Sequence, residues 1–187
     1  MNQQVNIYHE RQCKELCALH ALNNIFQKKN AFKQCDLDAI CNSLAPKAWV
    51  NPHKSFLGLG NYDINVLSTA LQRVGHEAVW FDKRKSPSCL NMNQVFGLIL
   101  NIANETKFGP ISLPLNRRHW FAIKEINGDF YNLDSKLEEP LLIGKEAELI
   151  IYLKDQLSVA DKLLFVIVRK EVAENQSWLK SSDTIRT

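Results

Sequence analysis

Residues 8–27, YHERQCKELCALHALNNIFQ, decide how this chain is read. Leu16, Leu19, Leu22, Ile25 and Phe26 recur at the three-and-four spacing of a helix that buries one face. At about 100° per residue the apolar stripe centres on Leu19, Leu22 and Phe26, and Cys17, His20 and Asn24 fall on the opposite side. A thiol in the first turn lies beside unpaired backbone N–H groups and the positive end of the helix dipole, both of which favour thiolate. Cys17 is thus a candidate nucleophile, provided that partners for it arise elsewhere in the chain.

Downstream of this helix, Leu37, Ile40, Cys41 and Leu44 form the buried face of a second, with Asp36 as its cap and Pro46 closing it; Cys41 is a core residue. Residues 47–61 have no period and carry Pro52, Gly58 and Gly60, the marks of a loop. Val66, Leu67, Ala70, Leu71 and Val74 write a third helix, capped by Asn61 or Asp63 and ended by Gly75. From His76 the pattern turns to strands. Residues 78–81 and 96–102 are apolar runs of strand length, and FAIKEI, Asn127-Gly128, DFYNLD reads as a hairpin, because Asn-Gly supplies the two positive φ values of a type I′ turn. A helix over 145–157 and a buried strand over 163–168 follow. The fold class expected is α+β, with N-terminal helices packed on a mostly antiparallel sheet around one core. The domain spans 1–170, and 171–187 is a polar tail anchored by Trp178 and Leu179.

At 187 residues the chain fits one domain of ordinary size, and a formal charge of +3 gives no basic footprint for nucleic acid. The amino terminus lacks the apolar core of a secretory signal, and no apolar run is long enough to span a bilayer. Five cysteines, at 13, 17, 35, 41 and 89, are an odd number that suits reduced thiols, so the expected address is cytoplasmic or nuclear.

The hairpin supplies the partners that Cys17 needs. With Asn127 and Gly128 as the loop, Ile126 pairs with Asp129 and Phe121 with Asp134, so His119 and Asp134 project on one face as diagonal neighbours, about 7–8 Å apart by backbone. Asp134 would orient the ring of His119, and His119 would hold Cys17 as thiolate. Gln12, five residues ahead of Cys17, is placed to donate to an oxyanion beside the backbone N–H of Cys17. The chemistry implied is acyl transfer to water. Trp120 either walls the substrate groove or, as preferred here, is core on the other face of the sheet.

HERQCKELCALHALNNIFQ, GNYDINVLSTAL, RRHWFAI and YNLDSK together resemble the Josephin domain of papain-like deubiquitinases, in its short, single-domain form, over residues 8–170. The resemblance implies a ubiquitin-directed thiol hydrolase of papain-like fold that cleaves peptide or isopeptide bonds at the ubiquitin carboxyl terminus. It places the nucleophile at Cys17, the oxyanion glutamine at Gln12, the general base at His119 and the orienting residue at Asp134, where some Josephin domains carry Asn. The expected partners are ubiquitin, polyubiquitin or ubiquitinated proteins, with no cofactor, no nucleic acid and no integral membrane segment, the chain acting as a monomer. Two rival readings are a ubiquitin- or protein-binding module with an idle site, and a zinc site from Cys13, Cys17 and His20, which lacks a fourth ligand.

Overall fold

A computed structural model describes residues 6–12, 16–45, 62–104, 107–108, 111–112 and 117–180, with side chains left aside over 104–117. The expected loop 47–61, its neighbour Pro46, Cys13 and the last seven residues lie outside the described residues. The helices are α1 (Cys17–Phe26), α2 (Gln34–Leu44), α3 (Ile64–Gln72), α4 (Glu146–Ser158) and α5 (Lys170–Glu174). The strands are β1 (His76–Trp80), β2 (Gly97–Asn104), β3 (Lys107–Phe108), β4 (Ile111–Ser112), β5 (Arg117–Ile126), β6 (Asp129–Leu133), β7 (Leu141–Gly144) and β8 (Leu163–Arg169). Six of them form one sheet in the order β1-β8-β2-β5-β6-β7, antiparallel throughout, and β3 and β4 make a separate small ribbon.

The sheet is covered on both faces, which corrects the expectation of one core. Leu22 and Ile25 of α1, Leu37 and Ile40 of α2 and Leu67 and Leu71 of α3 pack on one face with Ile99, Trp120 and Ile167. Leu149, Leu153 and Leu157 of α4 pack on the other with Leu98, Phe121 and Val166. Successive residues of β8 therefore enter different cores, which is why LLFVIVR reads as an unbroken apolar run rather than an alternation. Full burial of each such Leu or Ile is worth about 1.5–3 kcal/mol, so the central strands hold the layers together.

Local chemistry sets the element ends. Asp63 caps α3, its Oδ1 accepting from Asn65 N at 3.0 Å and Val66 N at 3.1 Å. Asp36 is not the cap of α2. That helix begins earlier, at Gln34, and the Asp36 carboxylate reaches back to accept from Lys33 N at 3.0 Å. Val74, assigned to the buried face of α3, lies past its end and is 45% exposed. The Asn127-Gly128 turn has φ of +54° and +82° and pairs Ile126 with Asp129, the register expected.

Gly97, at the start of β2, lets α1 approach the sheet: a Cβ there would stand 2.6 Å from Cγ1 and Cδ1 of Ile25. Over residues 171–180 the chain packs rather than trails. Trp178 is buried, Leu179 bridges to Leu90, and Lys180 N donates to Cys89 O at 2.8 Å. Among the described residues no helix is long and apolar enough to cross a membrane.

Candidate active site

Cys17 is the first residue of α1, and the preceding Leu16 has no side-chain oxygen with which to cap the N–H groups of the first turn. Cys17 is only 5% exposed and sits within the core that α1 shares with the sheet. The opposite side of α1 is therefore not a solvent face. His20 and Asn24, with Cys17 expected off the apolar stripe, are buried too, because residues 8–12 lie across that side of the helix. Hydropathy periodicity registers the apolar stripe but not what covers its reverse.

His119 lies on β5, paired with Ile102 of β2, and is 1% exposed. Its neighbour Trp120 is core, as preferred: it is 4% exposed and its Nε1 donates to Tyr62 O at 2.9 Å. The His119 ring stacks on Phe121, with centroids 6.3 Å apart and planes 26° from parallel. Asp134 follows the last residue of β6, and its Oδ1 is 2.7 Å from His119 Nε2, so the hairpin register does bring the two side chains together. Lys136 N donates to the same oxygen at 2.9 Å, and Asn132 Oδ1 accepts from Asp134 N at 2.9 Å. These bonds hold the carboxylate in one orientation.

His119 turns Nε2 to Asp134, which leaves Nδ1 as the nitrogen available to Cys17, whose side chain lies near enough to the ring to favour its charged form. The Cys17 Sγ lies 4.0 Å from the carbonyl of Arg118, one residue before His119. Burial pushes the His119 imidazolium down, but hydrogen bonds to Asp134 and Cys17 and their charges outweigh it and hold the pKa above the ordinary value. Burial likewise pushes the Asp134 carboxyl up, and the hydrogen bond and charge of His119, with the N–H of Lys136, bring it below its ordinary value. Each partner favours the charged form of the other.

Gln12 is held by its backbone N–H, which donates to Ser135 O at 2.6 Å, so its main chain lies beside the Asp134 turn. His9 Nε2 donates to the carbonyl of Asp134 at 3.0 Å. Glu10 accepts from His20 Nδ1 at 2.7 Å and from the Tyr8 hydroxyl. Burial pushes the Glu10 carboxyl up, but hydrogen bonds from His20, Tyr8 and Asn23 outweigh it and leave the pKa lowered. Neither His9 nor Glu10 stood out in the sequence. The available signal was the polar run His20, Asn23, Asn24 on a helix otherwise rich in apolar residues, which calls for a polar partner.

Of the rival zinc set, Cys13 lies outside the described residues, while Cys17 faces His119 and His20 faces Glu10. Among the described residues no group of three or more His, Cys, Asp or Glu is arranged to hold a metal.

The sequence profile of the Josephin family matches residues 12–168. A Josephin-like protein of Drosophila melanogaster is 47% identical over 178 residues, covering 92% of this chain and 80% of that protein. Josephin-2 of Homo sapiens is 48% identical over 175 residues, covering 94% and 93%. Ataxin-3 of Homo sapiens is 27% identical over 156 residues, covering 74% of this chain and 39% of that protein. With a family profile that spans most of its length and relatives nearly half identical over almost all of it, the chain belongs to the Josephin family.

Proposed function

We propose that this protein is a thiol-dependent deubiquitinase that hydrolyses peptide or isopeptide bonds at the carboxyl terminus of ubiquitin. The observation that carries the reading is the 2.7 Å hydrogen bond between His119 and Asp134, with Cys17, the first residue of a helix, beside the same strand at 4.0 Å from the carbonyl of Arg118. Membership in the Josephin family supports ubiquitin as the acyl donor.

In this mechanism the proton of Cys17 passes to His119 Nδ1, and Sγ attacks the carbonyl carbon of the terminal ubiquitin glycine. The oxyanion that forms accepts hydrogen bonds from the backbone N–H of Cys17 and the side-chain amide of Gln12. His119 returns the proton to the leaving amine, a lysine side chain in an isopeptide, as the C–N bond breaks and a thioester remains. Water then attacks the thioester with His119 taking its proton, and the carboxylate and free thiol are restored. Asp134 keeps Nδ1 aimed at sulfur throughout by holding Nε2.

The test is a ubiquitin carrying a carboxyl-terminal electrophile, with the adduct located by peptide mass spectrometry. The adduct is expected on Cys17 and is lost in Cys17→Ala. Absence of the adduct, with Cys17 still alkylated by iodoacetamide, would show a working thiol that ubiquitin does not reach, and the substrate assignment would fall.

A further inference from the structure

Most of the hydrogen bonds made by the polar side of α1 go to residues 8–12. Gln27 grips Tyr8 by both backbone groups: its Oε1 accepts from Tyr8 N and its Nε2 donates to Tyr8 O, each at 3.0 Å. Asn24 grips Glu10 in the same way, Oδ1 accepting from Glu10 N at 2.6 Å and Nδ2 donating to Glu10 O at 3.3 Å. The segment therefore runs antiparallel to the helix, residue 8 against 27 and residue 10 against 24. Two more residues of extended chain, about 6.6 Å at 3.3 Å each, carry it toward the helix start, where Cys17 lies.

The side chain of Glu10 fastens the same junction. Its carboxylate accepts from His20 Nδ1 at 2.7 Å and from Asn23 Nδ2 at 3.1 Å to each oxygen. Asn24 Nδ2 also donates at 2.9 Å to the carbonyl of Leu133, the residue before Asp134. Asn23 and Asn24 are 2% and 0% exposed. A helix that had only to bury its second side would do so at lower cost with apolar side chains, since buried polar groups must find every partner they lose from water. What apolar residues do not supply is a fixed register between a strand and a helix.

We propose that Glu10 and Asn24 are positioning residues, which fix the register of residues 8–12 on α1 so that Gln12 stands at the oxyanion site beside Cys17. The inference rests on Gln12 being the oxyanion donor. Its test is a double-mutant cycle on a fluorogenic amide of the ubiquitin carboxyl terminus, with folding checked by melting and near-UV circular dichroism. Gln12→Ala is expected to lower kcat by about 10²–10³. Glu10→Ala is expected to lower kcat by about 10–10², the scale of an ångström-sized misplacement, while KM holds. The double variant is expected to be no more than about twofold slower than Gln12→Ala alone, because a misplaced donor and an absent one remove the same interaction.

Iodoacetamide should alkylate Cys17 at the wild-type rate in all three variants, since that reaction develops no oxyanion. Glu10→Gln, which keeps an acceptor oxygen, should recover part of the loss and serves in the cycle if Glu10→Ala does not fold. Asn24→Ala, where folded, should repeat the pattern of Glu10→Ala. Losses that multiply in the double variant, a loss confined to KM, or slowed alkylation would overturn the proposal. If Gln12→Ala is slow while folded Glu10→Ala runs at full rate, the clamp falls and the oxyanion assignment stands. If Gln12→Ala itself runs at full rate, both fall together.

Discussion

Replacing Asp134 by Asn tests the charge state of the site, because some Josephin domains carry Asn at the orienting position. The substitution keeps an oxygen where Oδ1 now accepts from His119 Nε2 at 2.7 Å and from Lys136 N at 2.9 Å, and removes only the negative charge. A hydrogen bond to a charged group is worth about 1.5–3 kcal/mol and a neutral one about 0.5–1.5, so the difference is about 1–1.5 kcal/mol. That corresponds to a fall in kcat/KM of about tenfold. In a serine triad the same change costs about 10⁴, because the amide favours the wrong tautomer of a neutral ring. In the resting thiolate and imidazolium pair that we propose, both ring nitrogens carry hydrogens, and an Asn carbonyl accepts the one facing it. Asp134→Ala leaves Nε2–H of a ring 1% exposed without its acceptor, a penalty of about 1–3 kcal/mol before the loss of orientation is added, so it should be the worse variant. The pH profile follows in sign. The Asp134 carboxylate is among the groups that hold the His119 pKa above its ordinary value, so His119 keeps its proton to a higher pH than a solvated ring would. Both variants should therefore lose activity at a lower pH on the alkaline limb than the wild type. The assay is kcat/KM against pH on the fluorogenic ubiquitin amide. An Asn variant as inactive as Cys17→Ala, or an alkaline limb that does not move, would show that the ring rests neutral and that the ion pair is wrong.

Cys17→Ala should abolish turnover and also lower the melting temperature, since the sulfur is buried in the core; a loss of about 1 kcal/mol corresponds to about 2–4 °C in a chain of this size. Cys41→Ala, at 0% exposure, should lower the melting temperature by a similar amount while kcat/KM is unchanged; turnover by Cys17→Ala would remove it as the nucleophile. Gly97→Ala should cost about 1–3 kcal/mol, because the new Cβ meets Ile25 at 2.6 Å, and Ile25→Val in the same chain should recover part of that by deleting the terminal methyl. Equal melting temperatures for Gly97→Ala and wild type would show that α1 does not lie that close to the sheet.

Much of the site was legible because two local rules produced it. An Asn-Gly pair admits the positive φ values of a tight turn, and that turn alone set the register that puts His119 and Asp134 on one face. Helical periodicity put Cys17 at a helix start, where a thiol lies at the positive end of the helix dipole. The remainder depended on which segments meet across the fold, and local patterns carry no such information. A hydrophobic stripe states which side of α1 faces a core, yet the burial of His20, Asn23 and Asn24 follows from residues 8–12 crossing the reverse side. Asp36 supplies either a cap or a third-position carboxylate by sequence, and only the start of α2 at Gln34 decided between them. Val66 to Leu71 were placed correctly on α3 by period, whereas Val74 was lost to solvent because the helix ended before it. The sequence by itself determined the four longer helices, the central strands, the hairpin register and the candidate nucleophile, since these rest on interactions between near neighbours. The tertiary structure alone decided that the sheet is buried on two faces and that a polar helix face is a clamp, because burial belongs to the assembled layers and not to any one segment.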